Sequence, residues 1–142
     1  MHASEQRRLV FHGALVLLAG LLCGIPQASA ITGGADPARI HAWQVAHNAI
    51  ILAGIMQIAI ASALPLAGSA QTVRLIVWTL VAAGYGSIVG LALAAASGHR
   101  GLTPEGPALN LIAFAGNMVV VIGSLAALPL LAWAMRGGRG TS

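Results

Sequence analysis

Residues 108–135 read ALNLIAFAGNMVVVIGSLAALPLLAWAM and contain no charged side chain. About 20 apolar residues in a helix are enough to cross the hydrocarbon core of a bilayer. Three other apolar stretches precede this one, so that the four cover roughly 8–30, 39–66, 73–97 and 108–135. The sequence therefore predicts an all-α, integral membrane four-helix bundle, which forms a single domain over residues 1–142.

The segments between the apolar stretches are rich in residues that end helices. They read ITGGADP at 31–37, PLAGSAQ at 65–71 and SGHRGLTPEGP at 97–107. Glycine and proline favour turns over the interior of a helix. Each apolar stretch is therefore predicted to be a separate helix.

The composition excludes several classes of protein. Hydrophobic residues make up 58% of the chain and charged residues 7%, whereas soluble domains carry about 25% charged residues. The net charge of +4 comes from arginines at helix ends, which argues against a nucleic-acid partner. A single cysteine, Cys23, excludes a disulfide framework and a cysteine metal cluster within the chain. The partner implied by this composition is the lipid bilayer.

The distribution of arginine predicts the topology. Four spans place both termini on one side of the membrane, and only Arg39 and Arg100 fall on the other side. Because arginine is enriched in cytoplasmic segments, both termini are predicted to be cytoplasmic in a multi-pass protein of a bacterial-type inner membrane. The arginines on the side of the termini are Arg7, Arg8, Arg74, Arg136 and Arg139.

The first stretch also has features of a secretory signal peptide. Arg7 and Arg8 precede a leucine-rich run, and ASA at 28–30 imitates a cleavage site for signal peptidase. His12 interrupts the apolar run, which is unusual in a signal peptide. We therefore predict that this stretch is the first membrane helix.

Small residues recur at helical spacing in three of the spans. Spacings of four or seven residues place glycines on one helix face, where two backbones can approach closely in lipid. We expect these glycines to form the contacts between helices rather than a cofactor site. The glycines are Gly20 and Gly24, Gly86 and Gly90, and Gly116 and Gly123.

Polar side chains within the spans are the best indicators of function, because they are costly in lipid. Gln44, His47 and Asn48 lie three and four residues apart and so share one face of helix two. His47 is expected roughly 12 Å below the membrane surface. One interpretation is a neutral imidazole that bonds a neighbouring helix; the other is a ligand to haem iron. Zinc would require three protein ligands, for which the sequence has no spaced cluster.

A second polar face is predicted on helix four, where Asn110 and Asn117 are seven residues apart. His12 differs from His47 in predicted depth by about 12 Å, so the two histidines are poorly placed to bind one iron. If haem is present, we therefore expect a five-coordinate iron with an open face. Such a site favours Lewis-acid chemistry over electron transfer.

The chain resembles the small haem-containing membrane isomerases that include styrene oxide isomerase and the related hydroxylaminobenzene mutases. The resemblance spans most of the chain, and the order and spacing of several short motifs carry it. These are EQRR at 5–8 followed by His12-Gly13, WQVAH at 43–47, RGLT at 100–103, and Gly106-Pro107.

The resemblance implies a homotrimer of four-helix protomers that hold haem b, with ferric iron, near the subunit interface. The axial histidine of the family falls on His47, which is the expected metal ligand. Gln44 and Arg100 are further candidates for cofactor binding. The implied activity is an isomerisation of a small aromatic substrate, with no net oxidation or reduction.

Two positions favour one branch of the resemblance. Styrene oxide isomerases, which convert an aryl epoxide to an aldehyde, carry a tyrosine late in helix three and an asparagine in helix two. Here those positions are Leu91 and Ala53. They favour the hydroxylaminobenzene mutase reaction, in which an N-aryl hydroxylamine gives a 2-aminophenol. Asn48, Asn117 and Tyr85 are the catalytic candidates that would orient the substrate oxygen.

Two alternatives of another class remain open at this point. One is a cytochrome b-like electron carrier, which would hold a six-coordinate haem. The other is a structural membrane subunit without a cofactor, in which the polar residues only hold the helices together.

Overall fold

A computed structural model describes residues 2–137 of the protein. Over these residues the chain is helical and contains no strand, which confirms the predicted all-α four-helix membrane bundle. Arg139, which the topology prediction places on the side of the termini, lies outside the described residues. The four helices long and apolar enough to cross a membrane are Ala3–Thr32, Pro37–Leu66, Ala70–Ser97 and Ala108–Arg136.

The first span consists of two helices, α1 (Ala3–Leu22) and α2 (Gly24–Thr32), separated at Cys23. Pro26 explains the break, because it has no backbone N–H and its ring crowds the carbonyl four residues earlier. The span begins five residues before the predicted apolar stretch. This extra turn is polar, and its Glu5 forms an ion pair of 2.8 Å with Arg8.

The second span has a well-defined start. Its helix α3 (Pro37–Ala63) continues into a short 3-10 helix (Leu64–Leu66). The side chain of Asp36 accepts a hydrogen bond from the backbone N–H of Arg39 at 3.0 Å, and Pro37 occupies the first helical position. Both features are typical of a helix N-terminus.

The third span changes its helical geometry partway through. Helix α4 (Ala70–Ser87) is followed by a π-helix (Ile88–Ala92) and then by α5 (Leu93–Ser97). Gly98 ends the span in a left-handed conformation, with φ of 75°, which glycine adopts without strain. After the loop 98–107, a single helix α6 (Ala108–Gly137) forms the fourth span.

The bundle is assembled from two closely packed pairs of helices. The most extensive contacts join α1 to α3 and α4 to α6. In the first pair, a Cβ added at Gly54 would lie 2.8 Å from the carbonyl oxygen of Gly13, and one added at Gly20 would lie 2.6 Å from the backbone nitrogen of Ile51. The helix backbones therefore touch, as small residues in lipid permit.

The second pair uses the same type of contact. A Cβ added at Gly86 would lie 2.8 Å from the carbonyl oxygen of Gly116, and one added at Gly123 would lie 2.8 Å from that of Thr79. Gly90 also lies directly against α6. The predicted packing role of these glycines is confirmed. Gly24 differs from the others, because it faces a side chain rather than a backbone.

Candidate functional site

His47 is anchored to the neighbouring span rather than to its own helix. Its Nδ1 atom lies 2.8 Å from the carbonyl oxygen of Gly20. Because a carbonyl oxygen only accepts hydrogen bonds, Nδ1 must carry the hydrogen. The other ring nitrogen, Nε2, then retains a lone pair. This tautomer is the one that metal-binding histidines adopt when a backbone carbonyl orients the ring.

Two glycines of the first span contact this imidazole. Gly20 contributes the acceptor carbonyl, and a Cβ added at Gly24 would lie 3.1 Å from Cε1 of His47. Any larger side chain at Gly24 would press against the ring. The break between α1 and α2 at Cys23 falls between these two glycines. The positions therefore serve the site, although the sequence indicated only a packing role for Gly24.

The residues next to His47 on the buried face of α3 are apolar. Its neighbours on α3, Ala46 and Ile50, are fully buried, and they belong to a cluster that includes Val16, Cys23 and Ala95. Apolar walls exclude water, which strengthens electrostatic interactions within a site.

No group of three or more His, Cys, Asp or Glu side chains within residues 2–137 is arranged to hold a metal ion. A metal centre at His47 therefore needs most of its ligands from elsewhere. Haem meets this requirement, because the porphyrin supplies four ligands and the protein needs to supply one. The oriented imidazole and its apolar surroundings fit this group.

The other two candidates on helix two lie in a different environment. Gln44 and Asn48 are exposed, and neither side chain forms a hydrogen bond with any other described residue. These amides flank His47 along α3 but do not pack against α1 as the imidazole does. Their roles in cofactor and substrate binding remain predictions.

Tyr85 is bonded to His12. The tyrosine hydroxyl and His12 Nδ1 share a hydrogen bond of 2.9 Å that joins α4 to α1. His12 precedes Gly20 by eight residues, or about 12 Å along the helix. The hydroxyl of Tyr85 therefore meets the first span well away from the level at which His47 is anchored.

The asparagines of helix four hold the loop 98–107. Asn110 donates to the carbonyl oxygens of Thr103 and Glu105 and accepts from the N–H of Gly101. Asn117 donates to the carbonyl oxygen of Gly101 at 2.9 Å. Both amides are thus engaged with the backbone of the loop, and the structure does not bring them to His47.

Three further positions bear on the site. Arg100 lies exposed in this loop, and its side chain has no hydrogen-bond partner among residues 2–137. Leu91 and Ala53 both pack against the apolar cluster around Ala46 and Ile50. The two positions at which the resemblance leads one to expect a tyrosine and an asparagine are therefore apolar here and belong to the surroundings of this cluster.

Comparison with known proteins gives one finding. A family model described as styrene oxide isomerase matches residues 5–136, which is almost the entire chain. Among curated proteins, none shows significant sequence similarity. The match includes all four spans and every candidate residue described above.

Proposed function

The chain belongs to the styrene oxide isomerase family, and we propose that it is a membrane isomerase that converts a small aryl epoxide to an aldehyde, with haem b held by His47. One observation carries the proposal. The Nδ1 hydrogen of His47 is bonded to the carbonyl oxygen of Gly20, which leaves Nε2 as a ligand oriented in advance. The family match favours the epoxide reaction over the hydroxylamine rearrangement that the sequence suggested.

The proposal uses haem for one property. When bound, it supplies a Lewis-acidic iron that polarises an oxygen atom of the substrate. His47 would be the protein ligand that holds this iron. His12 precedes Gly20, the residue to which His47 is bonded, by eight residues or about 12 Å along the helix, so it is poorly placed to bind the same iron.

The reaction is an internal rearrangement in which atoms and electrons balance. The benzylic C–O bond of the epoxide breaks, a hydride moves from the adjacent carbon to the benzylic carbon, and the oxygen forms the aldehyde carbonyl. No external oxidant or reductant takes part. The protein must therefore hold the aromatic ring and exclude water until the hydride has moved.

The interior of the bundle near His47 is apolar. Ala46 and Ile50, which lie close to His47 in α3, are buried in an apolar cluster against which Leu91 packs. In a site from which water is excluded, a benzylic cation has no water to add to it, so migration of hydride is favoured. A diol is therefore expected to be a minor product.

The proposal extends to assembly and location. The resemblance implies a homotrimer, and the arginine distribution implies cytoplasmic termini in a bacterial-type inner membrane. A small aromatic epoxide partitions into lipid, so a site within the membrane is accessible to it.

The test combines spectroscopy with product analysis. Purified protein is incubated with styrene oxide carrying two deuterium atoms on the terminal carbon. We expect phenylacetaldehyde with one deuterium at the benzylic carbon, and a Soret band that His47→Ala removes. Trp133→Phe, at an exposed position near the end of α6, is the control and should retain both. Colourless wild-type protein, or full activity in His47→Ala, would contradict the proposal.

A second candidate function is the hydroxylaminobenzene mutase reaction. The specific observation in its favour is that Leu91 and Ala53, the positions at which styrene oxide isomerases carry a tyrosine and an asparagine, are apolar and pack against the cluster that includes Ala46 and Ile50. Heterolysis of an N–O bond beside an aromatic ring has the same requirement for a Lewis acid and a dry cavity. Incubation with phenylhydroxylamine and analysis for 2-aminophenol decides between the two reactions.

A further inference from the structure

A groove opens between α2 and α3 at the end of the bundle opposite to the termini. Its volume is about 460 Å³. One wall belongs to α2 and the other to α3, and the turn that connects them closes the end. The lining residues include Ile25, Pro26, Ser29, Ala30, Arg39 and Trp43.

The groove continues directly from His47. On α2, the wall begins at Ile25, the residue after Gly24, which contacts the imidazole. On α3, Trp43 and Arg39 precede His47 by four and eight residues, so all three share one helix face. The imidazole does not itself line the groove but lies next to its inner end.

The groove combines an apolar lining with one positive charge. Most of its lining is apolar, and Arg39 is the one charged residue in it. Arg39 is exposed, and its guanidinium forms no ion pair within the part of the chain that the structure describes. Such a surface suits a flat apolar molecule with an anionic edge.

We infer that the groove holds the propionate edge of the haem and that Arg39 binds a propionate carboxylate. Eight residues of helix place Arg39 about 12 Å along α3 from His47. The distance from haem iron to a propionate carboxylate, added to the length of the arginine side chain, is enough to span this separation. A guanidinium forms paired hydrogen bonds with a carboxylate. This inference rests on the proposed function, since it requires haem at His47.

Ser29 and Trp43 complete the assignment. The hydroxyl of Ser29 donates to the carbonyl oxygen of Ile25, so it is already used within α2. Trp43 is partly buried against the apolar cluster around Ala46, which fixes its indole as part of the wall. Arg39 is therefore the residue of the groove that is free to recognise an anion.

The test compares haem with a form that lacks the negative charges. Haem-free protein is reconstituted with hemin or with hemin dimethyl ester, and binding is followed by the Soret band and by transfer of haem to apomyoglobin. For the wild type, we expect the ester to be lost about five- to ten-fold faster than hemin. Arg39→Gln should lose hemin faster by a similar factor and should not distinguish the two ligands.

Two further variants separate charge from structure. Arg39→Lys should restore most of the discrimination, because it keeps the positive charge. Arg7→Gln removes an exposed arginine at the opposite end of the bundle and should behave like the wild type. Equal retention of hemin and its ester by the wild type would overturn the inference, and Arg39 would then be assigned to lipid phosphate. That result leaves the proposed function intact, whereas absence of any Soret band in the wild type refutes both.

Discussion

Substitution of Gly54 by alanine tests the close packing on which the position of His47 depends. A Cβ at this position would lie 2.5 Å from the backbone nitrogen of Leu17 and 2.8 Å from the carbonyl oxygen of Gly13. Ordinary contact begins near 3.4 Å. Both obstructing atoms belong to a helix backbone, so α1 and α3 must separate by about 0.9 Å.

The free energy of unfolding is expected to fall by about 2 kcal/mol. Overpacking against an unyielding neighbour costs about 3 kcal/mol. The higher helix propensity of alanine returns about 1 kcal/mol, so the steric term dominates. Separation of the helices also lengthens the bond between His47 and the carbonyl oxygen of Gly20.

Reversible unfolding in mixed micelles, followed by circular dichroism, measures the effect. Gly68→Ala is the matched control, because nothing lies within 4 Å of a Cβ at that position, and its stability should change by less than about 0.5 kcal/mol. Ala59→Gly, at an exposed position of α3, measures how much the difference in helix propensity between alanine and glycine alone changes the free energy of unfolding. If Gly54→Ala is as stable as Gly68→Ala, the backbones of α1 and α3 do not touch as described.

Three other variants test polar contacts. Asn110→Leu removes all three hydrogen bonds of that side chain to the loop 98–107, a local loss of about 2–3 kcal/mol, so proteases should cut the loop faster; an unchanged cleavage rate would contradict the contact. Tyr85→Phe removes the bond to His12 and should lower the free energy of unfolding by about 0.6 kcal/mol; a loss above about 2 kcal/mol would show a larger role. Gln57→Met removes a bond to the carbonyl oxygen of Leu80 but also a buried Oε1 atom that has no partner among the described residues, so stability should stay constant or rise by about 1 kcal/mol; marked destabilisation would indicate that Oε1 is satisfied.

Most of the fold was predictable, because apolar length is a strong signal. The helix α6 begins at Ala108, as predicted, and the second and third spans begin within three residues of their predicted starts. The first span was predicted least well, since hydropathy does not detect its polar first turn. The break at Cys23 was not predicted, although Pro26 gives a local reason for it.

Less of the candidate site was predictable, since its contacts join residues distant in sequence. The face shared by Gln44, His47 and Asn48 followed from helical spacing. The contact partners of that face could not be predicted, because spacing within one helix does not show which neighbouring helix the face contacts. The bond between His12 and Tyr85 joins residues 73 positions apart. The groove at Arg39 had a signal in the spacing of residues 39, 43 and 47, but only the position of α2 makes it a cavity.

The hydrogen bond from His47 to Gly20 has a thermodynamic consequence. An unrestrained imidazole has to lose rotational freedom when it captures a ligand, and this loss weakens binding. Here the bond to α1 has removed that freedom during folding, and it also selects the tautomer with a lone pair on Nε2. Any ligand that binds Nε2 therefore meets an imidazole whose orientation was fixed before the ligand arrived.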